Sequence, residues 1–305
     1  MMRLGNLLQK KVNTKSLIFY VAFSLVSVLT MAERSALIEV PHFLGIMVTG
    51  LVMLLFIVKI IIDGRNWKEL FVAVIFAITF VLLEIFGAPS FMLTSCFAFL
   101  AMRGVDIRTV VKIDVLVKSV FLASHALIFA VDYVTGLEFA QEFVASSAKG
   151  TTMSLYFRNP NTTGLIGTWL ALDLLYLKNN KKIKDYIFPT LVALSTFVVT
   201  TSRASFLIYV IYLGLQLIKS PRKLTILQKI IYPLFFFASL WMVLFISVGS
   251  PMYDTLNHLT SGRIGFSLLA FDLVGFNILP SASNSLLLEQ YILDVFYVRC
   301  MVDYG

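Results

Sequence analysis

Charge is the scarcest commodity in this 305-residue chain: Asp, Glu, Lys and Arg make up only 14% of it, against about 25% in a soluble domain. Cysteine is nearly missing as well. Cys96 lies inside an apolar run and Cys300 close to the last residue. Neither supports a disulfide framework or a metal site, and plain burial accounts for both. Only three His and eight Pro occur, and no repeat or low-complexity tract is present. These shortages exclude a disulfide scaffold, a disordered chain and a soluble enzyme. What fills the sequence instead is apolar: 59% of the residues, with a mean hydropathy of +0.88. The apolar residues come in runs and do not alternate with polar ones, which argues against an outer-membrane barrel.

The apolar residues number about 180, enough for about nine membrane-crossing helices of roughly 20 residues each. The runs cover residues 16–32, 43–62, 70–86, 89–102, 115–134, 163–177, 187–199, 204–218 and 230–248. The expected fold is all-α, a polytopic membrane protein of about nine transmembrane helices. A helix bundle would occupy residues 1–248, and an extracytoplasmic loop region with amphipathic helices would occupy 249–305. Runs four, six, seven and eight are shorter than a bilayer, so they tilt little or end in a protein-lined cavity.

The net charge of +8 then speaks to topology and not to nucleic acid. If the runs alternate, 19 of the 25 Lys and Arg fall on one side. Arg34, Lys149, Arg158, Arg203, Arg263 and Arg299 fall on the other. The excess places the N terminus in the cytoplasm. The first run has the basic head of a signal peptide, but Thr30-Met31-Ala32 is a poor cleavage site, so a retained anchor is expected. Two larger regions face outside, 135–162 and 249–305.

The cytoplasmic set is mostly lysine, 14 of 19, while the outer set is five Arg and one Lys. Arginine presents a planar fork that holds phosphate bidentately, which lysine cannot do. Anchoring to lipid headgroups is the plain alternative. Arg203 stands in Thr200-Thr201-Ser202-Arg203-Ala204-Ser205, a turn with almost no loop, where a charge is costly unless paired. Arg263 follows Ser261-Gly262, and a solvated loop arginine is its plain reading. His258 is a base in reach of neutral pH or an ordinary loop residue. Arg158 precedes Asn159-Pro160-Asn161, turn chemistry ahead of a helix. Asn161-Thr162-Thr163 is also a glycosylation sequon, with nothing else to support it. Asp294, on a helix, would share a face with Tyr297 and Val298 and is a candidate general base. At the cytoplasmic end of run five Asp114 and Lys118 form an i,i+4 pair, and mid-run His125 is either part of a relay or a packed histidine.

Four of these pieces resemble motifs of the O-antigen polymerase and ligase superfamily of bacterial envelope proteins. They are Phe157-Arg158-Asn159-Pro160-Asn161, Thr201-Ser202-Arg203-Ala204, Leu259-Thr260-Ser261-Gly262-Arg263, and Leu293-Asp294-Val295-Phe296-Tyr297 with Asp303-Tyr304-Gly305. Members of that superfamily join or transfer glycans carried on undecaprenyl diphosphate at the outer face of the cytoplasmic membrane. The resemblance implies a multi-pass protein of that membrane that polymerises lipid-linked repeat units into an extracellular polysaccharide. It implies diphosphate binding by Arg203 and Arg263, with Arg158, Asn161 and Tyr297 also in the substrate site. Asp294 stands where some members use a catalytic His, and Val295 where many have Asn. Arginine stabilisation of a departing diphosphate needs no metal or cofactor. The implied partners are the undecaprenyl-diphosphate-linked glycan, membrane lipid and other polysaccharide-assembly proteins, with no nucleic acid. Members continue past the Tyr-Gly segment into further spans, whereas this sequence stops at Gly305; a weak or inactive product is the expectation. The alternatives are a ligase for finished glycans and a lipid-linked-sugar flippase. A transporter should show repeats and mid-membrane polar groups, which the sequence shows sparsely.

Overall fold

Helices fill eight of the nine apolar runs. The computed structural model describes residues 14–64, 67–85, 91–147, 150–178, 182–216 and 249–259, with 229, 230, 234, 237, 241, 265 and 268. The helices are α1 (Thr14–Arg34), α2 (His42–Ile62), α3 (Trp67–Ile85), α4 (Phe91–Ala101), α5 (Ile107–Thr135), α6 (Glu138–Glu142), α7 (Pro160–Leu177), α8 (Ile183–Thr200), α9 (Arg203–Gln216) and α10 (Pro251–Leu259). The ninth run, 230–248, lies largely outside the described residues. The all-α class holds, with one addition in the region read as loop. There β1 (Val144–Ser147) and β2 (Gly150–Met153) form an antiparallel hairpin with Val144 opposite Met153.

Four helices, α1, α2, α5 and α8, are long and apolar enough to cross a membrane, and they mark the chain as a membrane protein. Nine crossings are not supported among the described residues. Runs four and eight, short in the sequence, form short helices, whereas run seven is extended by α8 back to Ile183. At 1.5 Å per residue a helix needs about 20 residues for a hydrocarbon core of about 30 Å; α4 has 11 and α9 has 14. Helix α7 has 18 residues, but Asp173, two glycines and several threonines dilute its apolar content. It is an inner helix instead, with nine of its residues buried.

The chain divides into two units, one of Met1–Leu70 with Phe97–Leu217 and one of Phe71–Cys96 with Ile218–Gly305. In the first, α7 packs against α5, α8 and α9, and α1 packs against α2 and α5. Helix α5 shows why this bundle suits lipid. Leu116, Val120, Leu127, Val131 and Val134 are exposed along it, while Val110, Lys118, His125 and Phe129 are buried. Apolar residues outside and polar ones inside invert the pattern of a water-soluble helix.

Local chemistry sets the helix ends. Asp106 caps α5, accepting from Arg108 N at 3.2 Å and from Thr109 Oγ1 at 2.8 Å. Gly136, at φ 75, ends it in the left-handed conformation that glycine adopts without steric cost. Asn159 caps α7 by accepting from Thr162 N at 2.8 Å, and Pro160 takes the first helical position, where no amide donor is missed. Asp185 accepts from Lys182 N at 2.9 Å to start α8.

Consecutive helices of this unit run in opposite directions. At one end Ser16 Oγ donates to Gly104 O at 3.3 Å, and Lys59 Nζ donates to Arg103 O at 3.0 Å. At the other end Ala36 N donates to Tyr156 O at 2.8 Å, and Arg158 N donates to Arg34 O at 3.0 Å.

The seam between α7 and α8 is built from small residues. A Cβ placed on Gly164 would lie 2.5 Å from Ser202 Cβ, and one on Gly167 would lie 2.3 Å from Thr196 Cγ2. Such close approach is how helices associate in lipid, where burial of apolar surface supplies no driving force.

Candidate functional site

The end of the bundle that carries Arg34, Arg158 and Arg203 holds a cleft of about 620 Å³. Its wall is the α1–α2 connection, from Ser35 to Pro41, and its two charged residues are Arg158 and Glu39. Ser35 is fixed from behind. Its Oγ accepts from Leu37 N at 3.0 Å and lies 2.7 Å from His125 Nε2. The His125 ring stacks on Phe157 with centroids 4.5 Å apart and an interplanar angle of 15°. His125 is therefore packed and hydrogen-bonded, and it touches the cleft only through Ser35.

Arg158 is presented by a strained turn. Phe157 N donates to Ser154 O at 2.9 Å, and the two central residues, Leu155 and Tyr156, have φ of 49° and 60°. Left-handed backbone costs a non-glycine residue roughly 1–2 kcal/mol, so the surroundings must hold this turn. Thr163 Oγ1 donates to Ser154 O at 2.5 Å. Tyr156 is fully buried, and its hydroxyl donates to Asp132 Oδ2 at 2.6 Å. Loss of water around the phenol, and then the bond to the Asp132 carboxylate, push the Tyr156 pKa up to about 12. The folded chain thus keeps this proton where an unfolded one, with a pKa of about 10, releases it. Its stabilisation is full below about pH 10 and is lost as pH rises through about 12. Tyr156→Phe should flatten that alkaline fall, which unfolding midpoints at stepped pH will measure; an unchanged slope would remove Tyr156 from the account.

The turn between α8 and α9 sits at the same end. Thr201, at φ 49, donates its N–H to Phe197 O at 2.7 Å. Ser202 N donates to Thr200 Oγ1 at 3.3 Å, and Ser202 Oγ bonds Ser205 Oγ at 2.9 Å. Arg203 follows as the first residue of α9 and is exposed. Because Gly164 touches Ser202, the segments 158–164 and 200–205 form one surface. The structure thus brings Arg158, Asn161 and Arg203 to one end of the bundle, all three exposed. Asn161 stands in the first turn of α7, and its neighbour Asn159 does the capping. Arg263, Asp294 and Tyr297 lie outside the described residues. His258 lies on α10, in the second unit. Among the described residues no group of three or more His, Cys, Asp or Glu side chains is placed to hold a metal ion.

A second polar centre lies inside the bundle. Lys118 Nζ donates to Asp114 Oδ2 at 2.5 Å and to Asp173 Oδ2 at 2.8 Å, and it stands 6.0 Å from the centroid of the Trp169 ring. Sequence spacing yields the Asp114–Lys118 pair but not Asp173, whose partner is 55 residues away. The available signal was the lone carboxylate in the run 163–177, since a charge among apolar residues in a bundle needs a partner. A second buried lysine, Lys59, pairs with Asp63 and Arg103 O near the opposite end of the bundle from the cleft. No protein-family model, curated protein or solved structure matches this chain.

Proposed function

We propose that this chain polymerises undecaprenyl-diphosphate-linked oligosaccharide repeat units into an extracellular polysaccharide, as a multi-pass glycosyltransferase at the outer face of the bacterial cytoplasmic membrane. The reading rests on one observation, the meeting of the Arg158 and Arg203 segments at one end of the bundle beside a cleft. The lysine-rich ends of the helices, with Lys59, Lys178, Lys182 and Lys184, point the other way and face the cytoplasm in this reading.

Arg158 and Arg203 hold the diphosphate, with Asn161 beside them; the resemblance adds Arg263, Asp294 and Tyr297, which lie outside the described residues. An acceptor hydroxyl attacks the anomeric carbon of the lipid-linked glycan. The new glycosidic C–O bond forms as the C–O bond to diphosphate breaks. The hydroxyl proton passes to Asp294, and lipid diphosphate leaves with the electron pair. Guanidinium forks aimed at the departing oxygens stabilise the charge that develops there.

Arg203→Lys keeps the charge and loses the fork. It should cut polymer formation by about 10²-fold or more while the protein still inserts, read as polymer length in cells whose only copy is the variant. Normal-length polymer would overturn the proposal. The buried Lys118 cluster favours a second reading, a lipid-linked-sugar flippase, because coupling ions bind among charges inside the membrane. The sidedness of accumulated repeat units separates the two. Loss of a polymerase leaves them on the outer leaflet, and loss of a flippase leaves them on the inner one.

A further inference from the structure

The charges buried at the contact between α5 and α7 do not balance. Asp114 and Lys118 stand one turn apart on α5, and Asp173 comes from α7. One ammonium faces two carboxylates. With all three ionised the cluster carries a net charge of −1, in a bundle where an uncompensated charge is expensive. The other buried lysine makes the contrast. Lys59 is matched one to one by Asp63, and its further partner is the neutral carbonyl of Arg103.

Among the described residues no neighbour corrects the imbalance. On α5, Lys112 is exposed, Arg108 belongs to the first turn and Asp132 to the last. His125, about 10 Å further along α5 by helical rise, is engaged by Ser35. Asp173 is the one charged residue of α7. The helices packed on these two carry their charges at their ends: Lys15, Glu33 and Arg34 on α1, Glu138 and Glu142 on α6, Lys184 and Asp185 on α8, and Arg203 on α9.

We infer that the Lys118–Asp114–Asp173 cluster is a proton-binding site, and that Asp173 carries the proton. One proton brings the cluster to neutrality while Lys118 keeps its ion pair with Asp114 on the same helix. Asp173 is the less exposed of the two carboxylates, 16% against 23%, so water does less to hold its charge. Proton loading turns the bridge between α5 and α7 from an ion pair into a bond between the Lys118 ammonium and an uncharged carboxyl, which is the weaker of the two. The contact between these helices then depends on pH. The inference does not rest on the proposed glycan chemistry, and its test contains no glycan.

The test is infrared spectroscopy of the purified full chain in lipid nanodiscs, titrated from about pH 8 to about pH 6, a range in which ordinary exposed Asp and Glu residues stay ionised. The expected result is a carboxylic-acid carbonyl band equivalent to one proton per chain, with a parallel change in Trp169 fluorescence. Asp173→Asn should abolish the band. Asp114→Asn leaves a balanced Lys118–Asp173 pair that preserves the bond between the helices, and it too should abolish the band. Absence of a titrating band in the wild-type chain would overturn the inference, as would a band that survives either substitution.

Discussion

Gly167→Ala is expected to destabilise the bundle, although the same change in an open helix would stabilise it by up to about 1 kcal/mol. The new Cβ would lie 2.3 Å from Thr196 Cγ2, 2.6 Å from Thr196 Oγ1 and 2.8 Å from Thr196 Cβ. Rotating the Thr196 side chain moves the first two atoms. It cannot move the third, which is fixed to the backbone of α8, so the helices must separate. Forcing an extra carbon into a closed seam costs about 1–3 kcal/mol, and the separation also weakens the neighbouring Gly164–Ser202 contact. Thermal unfolding of the purified chain in detergent should show a lower midpoint. Thr196→Ala should restore only part of the loss, because it removes Cγ2 and Oγ1 and keeps Cβ. The Thr196 hydroxyl donates only to Val192 O and Ala193 O of its own helix, so its removal strands no partner on α7. A Gly167→Ala midpoint at or above wild type would show that the seam is looser than its geometry implies.

Lys118→Met should be the most damaging single substitution at neutral pH. It deletes the common partner of Asp114 and Asp173 and leaves two carboxylates repelling each other between α5 and α7. Removing one member of a buried ion pair costs about 3–5 kcal/mol; the carboxylates are 23% and 16% exposed, so the lower end applies. Methionine fills nearly the same volume, so the loss reports charge and not a cavity. Adding Asp114→Asn and Asp173→Asn to Lys118→Met should recover most of the stability, because a neutral set needs no counter-charge. Denaturant titration in detergent measures both. A Lys118→Met chain as stable as wild type would mean that water already screens the cluster.

What was legible beforehand follows from which interactions are local. Apolar runs located eight helices, and Asn159-Pro160 correctly marked the start of α7, because a cap and a first-turn proline act within four residues. Helix α5 begins at Ile107 and not near 115, because Asp106 caps it and because Asp114 and Lys118, taken for residues at the helix margin, sit inside the bundle and neutralise each other there. Asp173, the Tyr156–Asp132 bond and the Ser35–His125 bond were out of reach, since each joins residues 24 or more apart with no spacing rule. The hairpin in 144–153 was read as loop because its Ser, Thr and Gly residues lack the β-branched and aromatic alternation that announces a strand. At the arginine end, residue types pointed to Arg158 and Arg203 separately. Only the fit of Gly164 against Ser202 puts their segments on one surface.

The absence of slack between Gly164 and Ser202, and between Gly167 and Thr196, makes α7 and α8 a splint. The turn that presents Arg158 is riveted to it through the Thr163–Ser154 bond. One side of the cleft is therefore unyielding. The other side is the short strap between α1 and α2, where Ile38, Glu39 and Pro41 are exposed and have no such backing helix. A guest that enters meets an anvil on one side. The anvil fixes the angle at which an anion must approach Arg158.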